Sequence, residues 1–170
     1  MRARKLIVLG DFGVGKTSLI RRYVHDSFDA DYHATLGVQL HKHVDTVPTG
    51  ASPVELSMVL WDIEGTPLPG EQTLRYMAGA SGALVVGDLA RPDRLAPMRR
   101  MADMFEGARP GRPLAFALNK ADLVPEGDEE GAGALRRRYG APVLTTSALT
   151  GARVLELFRS LGARALEVEP

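Results

Sequence analysis

A chain of 170 residues, 45% of them apolar, is long enough for a single domain with a buried core. Its 21 basic and 21 acidic residues cancel, so no global charge steers it toward nucleic acid or an anionic membrane. The absence of cysteine excludes disulfides, thiolate metal sites, thiol catalysis and lipid attachment at such a residue.

In chain order, Met1-Arg2-Ala3-Arg4-Lys5 and the apolar residues behind it have the outline of a signal peptide. The apolar stretch stops at Leu9, too short for that, and reads as a first strand over Lys5 to Leu9. No segment approaches the roughly 18 apolar residues of a membrane span, so a soluble cytoplasmic protein is expected. Gly10-Asp11-Phe12-Gly13-Val14-Gly15-Lys16-Thr17 follows, a complete G-x-x-x-x-G-K-[ST] loop between that strand and a helix over 16–26. Its glycines let the backbone turn N–H groups toward an anion, and the helix N-terminus adds partial positive charge. Lys16 would reach the β- and γ-phosphates of a nucleotide, and the Thr17 hydroxyl would ligate Mg²⁺.

Asp26 to Leu36 shows little periodicity and reads as mobile. An alternating strand over Gly37 to Asp45 suits a sheet edge, with His41 and His43 on one solvated face. A hairpin-type connection, Pro48 to Pro53, leads to a strand over Val54 to Trp61. Gly65 to Gly79 reads as a second mobile stretch. Strands at Ala83 to Leu89 and Leu114 to Leu118, continuously apolar over Ala83 to Val86 and Leu114 to Leu118, then Pro142 to Thr145, alternate with helices over 92–107, 129–139 and 151–168. This order predicts one domain over residues 1–170 with an α/β fold. It would be a sheet of about six mostly parallel strands, with helices on both faces and ligand at the C-terminal strand ends.

Further signals fall just after strands. Asp62 and Gly65 in Trp61-Asp62-Ile63-Glu64-Gly65 can hold a metal-bound water and present an N–H to a γ-phosphate. Thr35 offers a second hydroxyl for the metal. Asn119-Lys120-Ala121-Asp122 supplies a carboxylate that can accept from both N1 and N2 of guanine; adenine has no such donors. Thr146-Ser147-Ala148 would bring a backbone N–H to O6. Lysine stands only at positions 5, 16, 42 and 120, leaving 17 arginines among the 21 basic residues, as a GC-rich bacterial genome would produce. Two of those four lysines lie in nucleotide motifs.

These segments resemble the small GTPases of the Ras superfamily, and the Rab branch most closely, over nearly the whole chain. Gly10-Asp11-x-Gly13-Val14-Gly15-Lys16-Thr17-Ser18-Leu19 and Phe28-x-x-x-Tyr32-x-x-Thr35-x-Gly37-Val38 carry the likeness. The resemblance implies GTP and GDP as ligands with Mg²⁺ held by Thr17 and Thr35, and by Asp62 through water. It places the nucleotide against Asp11, Phe12, Gly13, Val14, Gly15, Lys16, Thr17 and Ser18 of the loop. Phe28 would pack on the base, Asn119 and Asp122 would fix it, Lys120 would lie along it, and Ser147, Ala148 and Leu149 would complete its pocket. Lys16, Thr35, Gly65 and the residue at position 66 would serve catalysis. A monomer that meets a protein effector, an exchange factor and an activating protein is implied, with no nucleic acid.

The chain departs from that family at three places. The glutamine that orients the attacking water is replaced by Thr66, which has no carboxamide and precedes Pro67. Phe12 stands where relatives carry a small residue and would obstruct an arginine finger. The end, Leu166 to Pro170, has no prenylated or polybasic tail, so no direct membrane anchor is expected. Two functions follow: a switch with slow intrinsic hydrolysis, in which Glu71, Gln72 or Arg75 could compensate, or a GTP-binding interaction module with negligible turnover.

Overall fold

The computed structural model describes residues 1–31, 35, 37–63, 65 and 70–169. Among them, β1 (Arg2–Gly10), β2 (Val38–Val47), β3 (Val54–Ile63), β4 (Gly82–Asp88), β5 (Leu114–Asn119) and β6 (Val143–Thr145) form one sheet ordered β2-β3-β1-β4-β5-β6. β2 pairs antiparallel with β3, and the other neighbours are parallel. The helices are α1 (Lys16–His25), α2 (Glu71–Met77), α3 (Leu95–Ala108), α4 (Ala132–Tyr139) and α5 (Val154–Leu166).

Strand alternation divides the core in two. Leu6 and Val8 of β1 face α1 and α5, together with Leu56, Met58 and Leu60 of β3. Ile7 and Leu9 face the opposite way, against Met77, Met98, Met101, Phe105 and Leu135 from α2, α3 and α4. A strand covered on both faces must be apolar at every position, hence the unbroken run in β1. The parallel strands all end on the same side, which brings Gly10, Asp62, Asp88 and Asn119 together at one edge of the sheet. No helix among the described residues is long and apolar enough to cross a membrane.

Three expectations are corrected. The first strand begins at Arg2, because Arg2, Ala3 and Arg4 pair with Leu56, Ser57 and Met58. Arg4 tolerates near-complete burial since its guanidinium donates to the carbonyls of Ala165 (2.9 Å) and Val168 (3.3 Å). The stretch expected to be mobile contains helix α2; its only fully buried residue is Met77, too little to leave a periodic signature. His41 and His43 are half-buried rather than solvated. They pair with Leu60 and Met58, both core residues, and so turn inward, leaving Leu40 and Val44 exposed. His43 meets Tyr23 edge-on at 4.7 Å. Burial holds the His41 imidazole below its ordinary pKa, against the partly offsetting charge of Asp62, and its Nε2 has no hydrogen-bond partner among the described residues.

Asp45 shares this inner face of β2 and ties three elements together. Tyr23 of α1 donates its hydroxyl to Oδ2 at 2.8 Å, and Arg159 of α5 donates through Nε and Nη2, each at 2.9 Å. The Tyr23 ring stacks on Phe158, 4.4 Å between centroids. Burial works against the Asp45 charge, but donation by Arg159, Tyr23 and the Thr46 amide outweighs it and holds the carboxyl below its ordinary pKa. A depressed carboxylate stabilises the fold at all pH values above its unfolded pKa, and that contribution fades as pH falls toward the native value. Asp45→Ala is therefore expected to cost about 1–3 kcal/mol at neutral pH, and clearly less near pH 3. Urea unfolding of both chains at the two pH values measures this; an equal loss at both would separate the stabilisation from the ionised carboxylate.

Candidate functional site

At the strand-end edge lies a cleft of about 400 Å³. Phe12, Gly13, Gly15, Lys16, Thr17, Ser18, Phe28, Thr35, Gly65, Asn119, Lys120, Asp122, Ala148 and Leu149 line it. Asp62 stands behind Thr17 and Ser147 behind Asp122, each within hydrogen-bond reach of the residue in front. The Val14 side chain turns into the core, and only its backbone serves the loop. Asp11 does not line the cleft; its carbonyl takes a bond from Lys16. Thr66, like Tyr32, Glu64 and Pro67, lies outside the described residues.

At the phosphate-loop end, Lys16 is 7% exposed and donates to the carbonyls of Gly10 (2.9 Å) and Asp11 (3.0 Å). Burial lowers its pKa to about 8, although Asp62 and Asp11 pull the other way. Such an ammonium gains most from an incoming polyanion, which would compensate the charge that burial leaves costly. Thr17 donates its hydroxyl to Asp62 Oδ2 at 2.6 Å, and the Thr35 hydroxyl lies 2.6 Å from the same Thr17 oxygen. Three hard oxygen donors from α1, from β3 and from the segment before β2 thus converge. Asp62 is fully buried, which raises its pKa, and its Oδ1 has no hydrogen-bond partner among the described residues. A buried carboxylate oxygen without a hydrogen bond costs stability unless a cation or water completes it.

At the opposite end, the Asn119-Lys120-Ala121-Asp122 segment leaves β5 through Lys120 in the left-handed region (φ 65°) and a 3-10 turn over Ala121–Leu123. Asn119 Nδ2 donates to Val14 O at 3.0 Å and Lys120 Nζ to Gly13 O at 2.7 Å. Asp88, 4% exposed, holds that ammonium at 2.9 Å. Ser147 donates to Asp122 Oδ1 at 2.6 Å. The bonded pairs are 105 and 107 residues apart in the chain, so the cleft is one connected cradle rather than two adjacent patches.

Compared with protein families, residues 5–167 match the Ras family. The chain belongs to the Ras family. Over 174 residues it is 29% identical to the Ras-related protein Rab-31 of Homo sapiens, covering 100% of this chain and 87% of the relative. Rab-13 of Canis lupus familiaris is 32% identical over 160 residues, 92% of this chain and 77% of its own length. Rab-32 of Mus musculus is 42% identical over 123 residues, 69% and 54% respectively. Membership makes the chain a Rab-like relative of the GTP-binding switch GTPases, on the six-stranded α/β domain that its sequence implied.

Within this Ras family domain the residues considered as substitutes for the missing glutamine are engaged elsewhere. Glu71 and Arg75 pair with each other at 2.9 Å on the exposed face of α2, and Gln72 donates to the Tyr76 hydroxyl at 2.7 Å. None of the three lines the cleft. Other residues enter the site that motif reading passed over: Arg21, Asp29, Asp31 and Leu123 line the cleft. Arg91 joins Asp88 (3.4 Å) to the Phe12 carbonyl (2.8 Å). No short motif announces an arginine of this kind, because it joins a neighbour three residues away to the distant Phe12 turn.

Gly15 shows how tight the cradle is. Its φ is +100°, and a Cβ there would collide with Asn119 Nδ2. Gly15→Ala therefore combines left-handed strain with displacement of the Asn119 clamp. It should weaken nucleotide affinity by at least about 10²-fold, the equivalent of roughly 3 kcal/mol. Titration with a fluorescent guanine nucleotide tests this; affinity within threefold of the native chain would show that the clamp is dispensable.

Proposed function

We propose that the chain is a guanine-nucleotide switch with slow intrinsic, Mg²⁺-dependent GTP hydrolysis, acting as a monomer on protein partners. The observation that carries this reading is the convergence of Thr17, Thr35 and Asp62. Thr35 belongs to the segment before β2, so a ligand that engages its hydroxyl also holds that segment in place. The donor set is all hard oxygen, with one carboxylate oxygen unpartnered among the described residues, which suits Mg²⁺ and no softer metal. Thr17 and Thr35 would hold the ion, and Asp62 would do so through water. When bound, Mg²⁺ would supply positive charge that offsets the negative charge developing during phosphoryl transfer.

The chain's own groups do the rest. Amides of residues 13–18 and the Lys16 ammonium orient the phosphates. Asp122 accepts from guanine N1 and N2, Phe28 and Leu149 flank the ring, and Lys120 lies along it. Gly65 presents its amide to the γ-phosphate; a Cβ there would come within 2.6 Å of the Phe12 amide nitrogen, so only glycine permits this approach to the loop. Thr66 has no carboxamide with which to align water, which supports a slow rate. GTP would order the segments carrying Thr35 and Gly65 for an effector, and hydrolysis would release them. An exchange factor and an activating protein would set the balance.

A second reading, a GTP-binding interaction module with negligible turnover, draws on Phe12, 48% exposed at the phosphate end of the cleft. Single-turnover hydrolysis decides between them: slow but measurable phosphate release that needs Mg²⁺ supports the switch, and none over hours supports the module. ATP held as tightly as GTP in calorimetry would refute both.

A further inference from the structure

Arg22 lies in the last turn of α1. Its side chain is only 18% exposed. Nε donates to Ala148 O at 2.9 Å and Nη2 to Leu149 O at 2.7 Å, while Nη1 donates to the carbonyl (3.2 Å) and carboxylate (3.0 Å) of Asp26, the residue that caps α1. A single planar guanidinium therefore grips two consecutive carbonyls of the loop that follows β6.

We infer that Arg22 is a positioning residue for base recognition, acting through the 147–151 loop; this rests on the guanine reading of the cleft above. In a trans peptide the carbonyl and the next N–H point in opposite directions. Holding the Ala148 and Leu149 carbonyls against α1 therefore points the Leu149 and Thr150 amides away from it. The Thr150 amide donates to Ser147 Oγ at 3.1 Å, and Ser147 Oγ in turn donates to Asp122 Oδ1 at 2.6 Å. A continuous path runs from the helix that begins at Lys16 and Thr17, through the loop, to the carboxylate that reads the base. Arg22 thereby fixes the distance between the phosphate grip and the base reader, and its loss should blur recognition of the base edge more than binding of the phosphates.

The test compares GDP with 2-aminopurine riboside diphosphate, which has neither the O6 acceptor nor the N1 proton, both with Mg²⁺. Dissociation constants are measured for the native chain, Arg22→Ala and Arg22→Lys. The native chain should prefer GDP by about a hundredfold or more. In Arg22→Ala this ratio should fall by about tenfold, while affinity for the analogue stays within about threefold of the native value. Arg22→Lys, which folds with the charge kept but reaches one carbonyl instead of two, should fall between them. A merely structural arginine would weaken both nucleotides alike, and an unchanged GDP-to-analogue ratio in both variants would overturn the assignment. Equal affinity of the native chain for the two nucleotides would overturn the guanine reading itself, and this inference with it.

Discussion

Asp122→Asn is expected to invert base preference from guanine to xanthine. The ionised carboxylate is acceptor-only and matches the two donors of the guanine N1 and N2 edge. An amide keeps one acceptor and turns a donor toward N2, so one hydrogen bond is lost and a donor faces a donor. Hydrogen bonds to charged groups contribute about 1.5–3 kcal/mol each, and the opposed donors add a penalty of about 1–3 kcal/mol, so GTP affinity should fall by roughly 10²–10³. Xanthine carries a carbonyl at position 2 and keeps the N1 proton, so the asparagine matches it in both places. XTP affinity should rise by about 10². Asp122 accepts from Ser147 in the native chain, and an asparagine oxygen can accept the same bond, so the exchange leaves the supporting contact intact. Competition of GTP and XTP against a fluorescent nucleotide reads the result. A variant that still prefers GTP would remove Asp122 from base recognition.

The larger effect should come from the phosphate end. With Phe12→Gly and Thr66→Gln combined, an activator domain that inserts an arginine should accelerate single-turnover GTP hydrolysis by about 10³–10⁵. The native chain should respond by less than about tenfold. Two obstacles are removed at once. The Phe12 ring lines the cleft, and Arg91 holds that residue's carbonyl, so the benzyl group cannot move aside with its backbone. A glycine opens the path for a guanidinium, and a glutamine restores the group that orients water. Thr66→Gln alone should raise the intrinsic rate, and Phe12→Gly alone should restore part of the response to the activator. Rapid-quench measurement of phosphate release distinguishes the contributions. Fast hydrolysis by the native chain, or no response from the double variant to an activator proven on a relative, would reject this account of both residues.

The site was legible where chemistry is written in a few contiguous residues. The loop from Gly10 to Thr17 and the segment from Asn119 to Asp122 each bring several cleft-lining residues from one short stretch, so spacing alone announces them. Thr35 and Asp62 were legible only as candidates. Their meeting with Thr17 at 2.6 Å depends on how β2 and β3 lie in the sheet. Arg22, Asp88 and Arg91 left no mark in the chain, because each works by donating to or accepting from a segment far away in sequence.

Local pattern alone determined the strand and helix alternation, the α/β class, and the positions of the glycine loop and of the Asn119–Asp122 motif, since covered strands must be apolar and anion cradles need glycine. Tertiary structure decided which face of β2 turns inward, because a period of two names two faces without choosing between them, and the pairing with Leu60 and Met58 chose. It also decided that α2 forms with little more than Met77 to anchor it, and that one arginine on α1 grips the base loop. Those outcomes are set by contacts between residues distant in the chain, whose geometry exists only once the sheet has assembled.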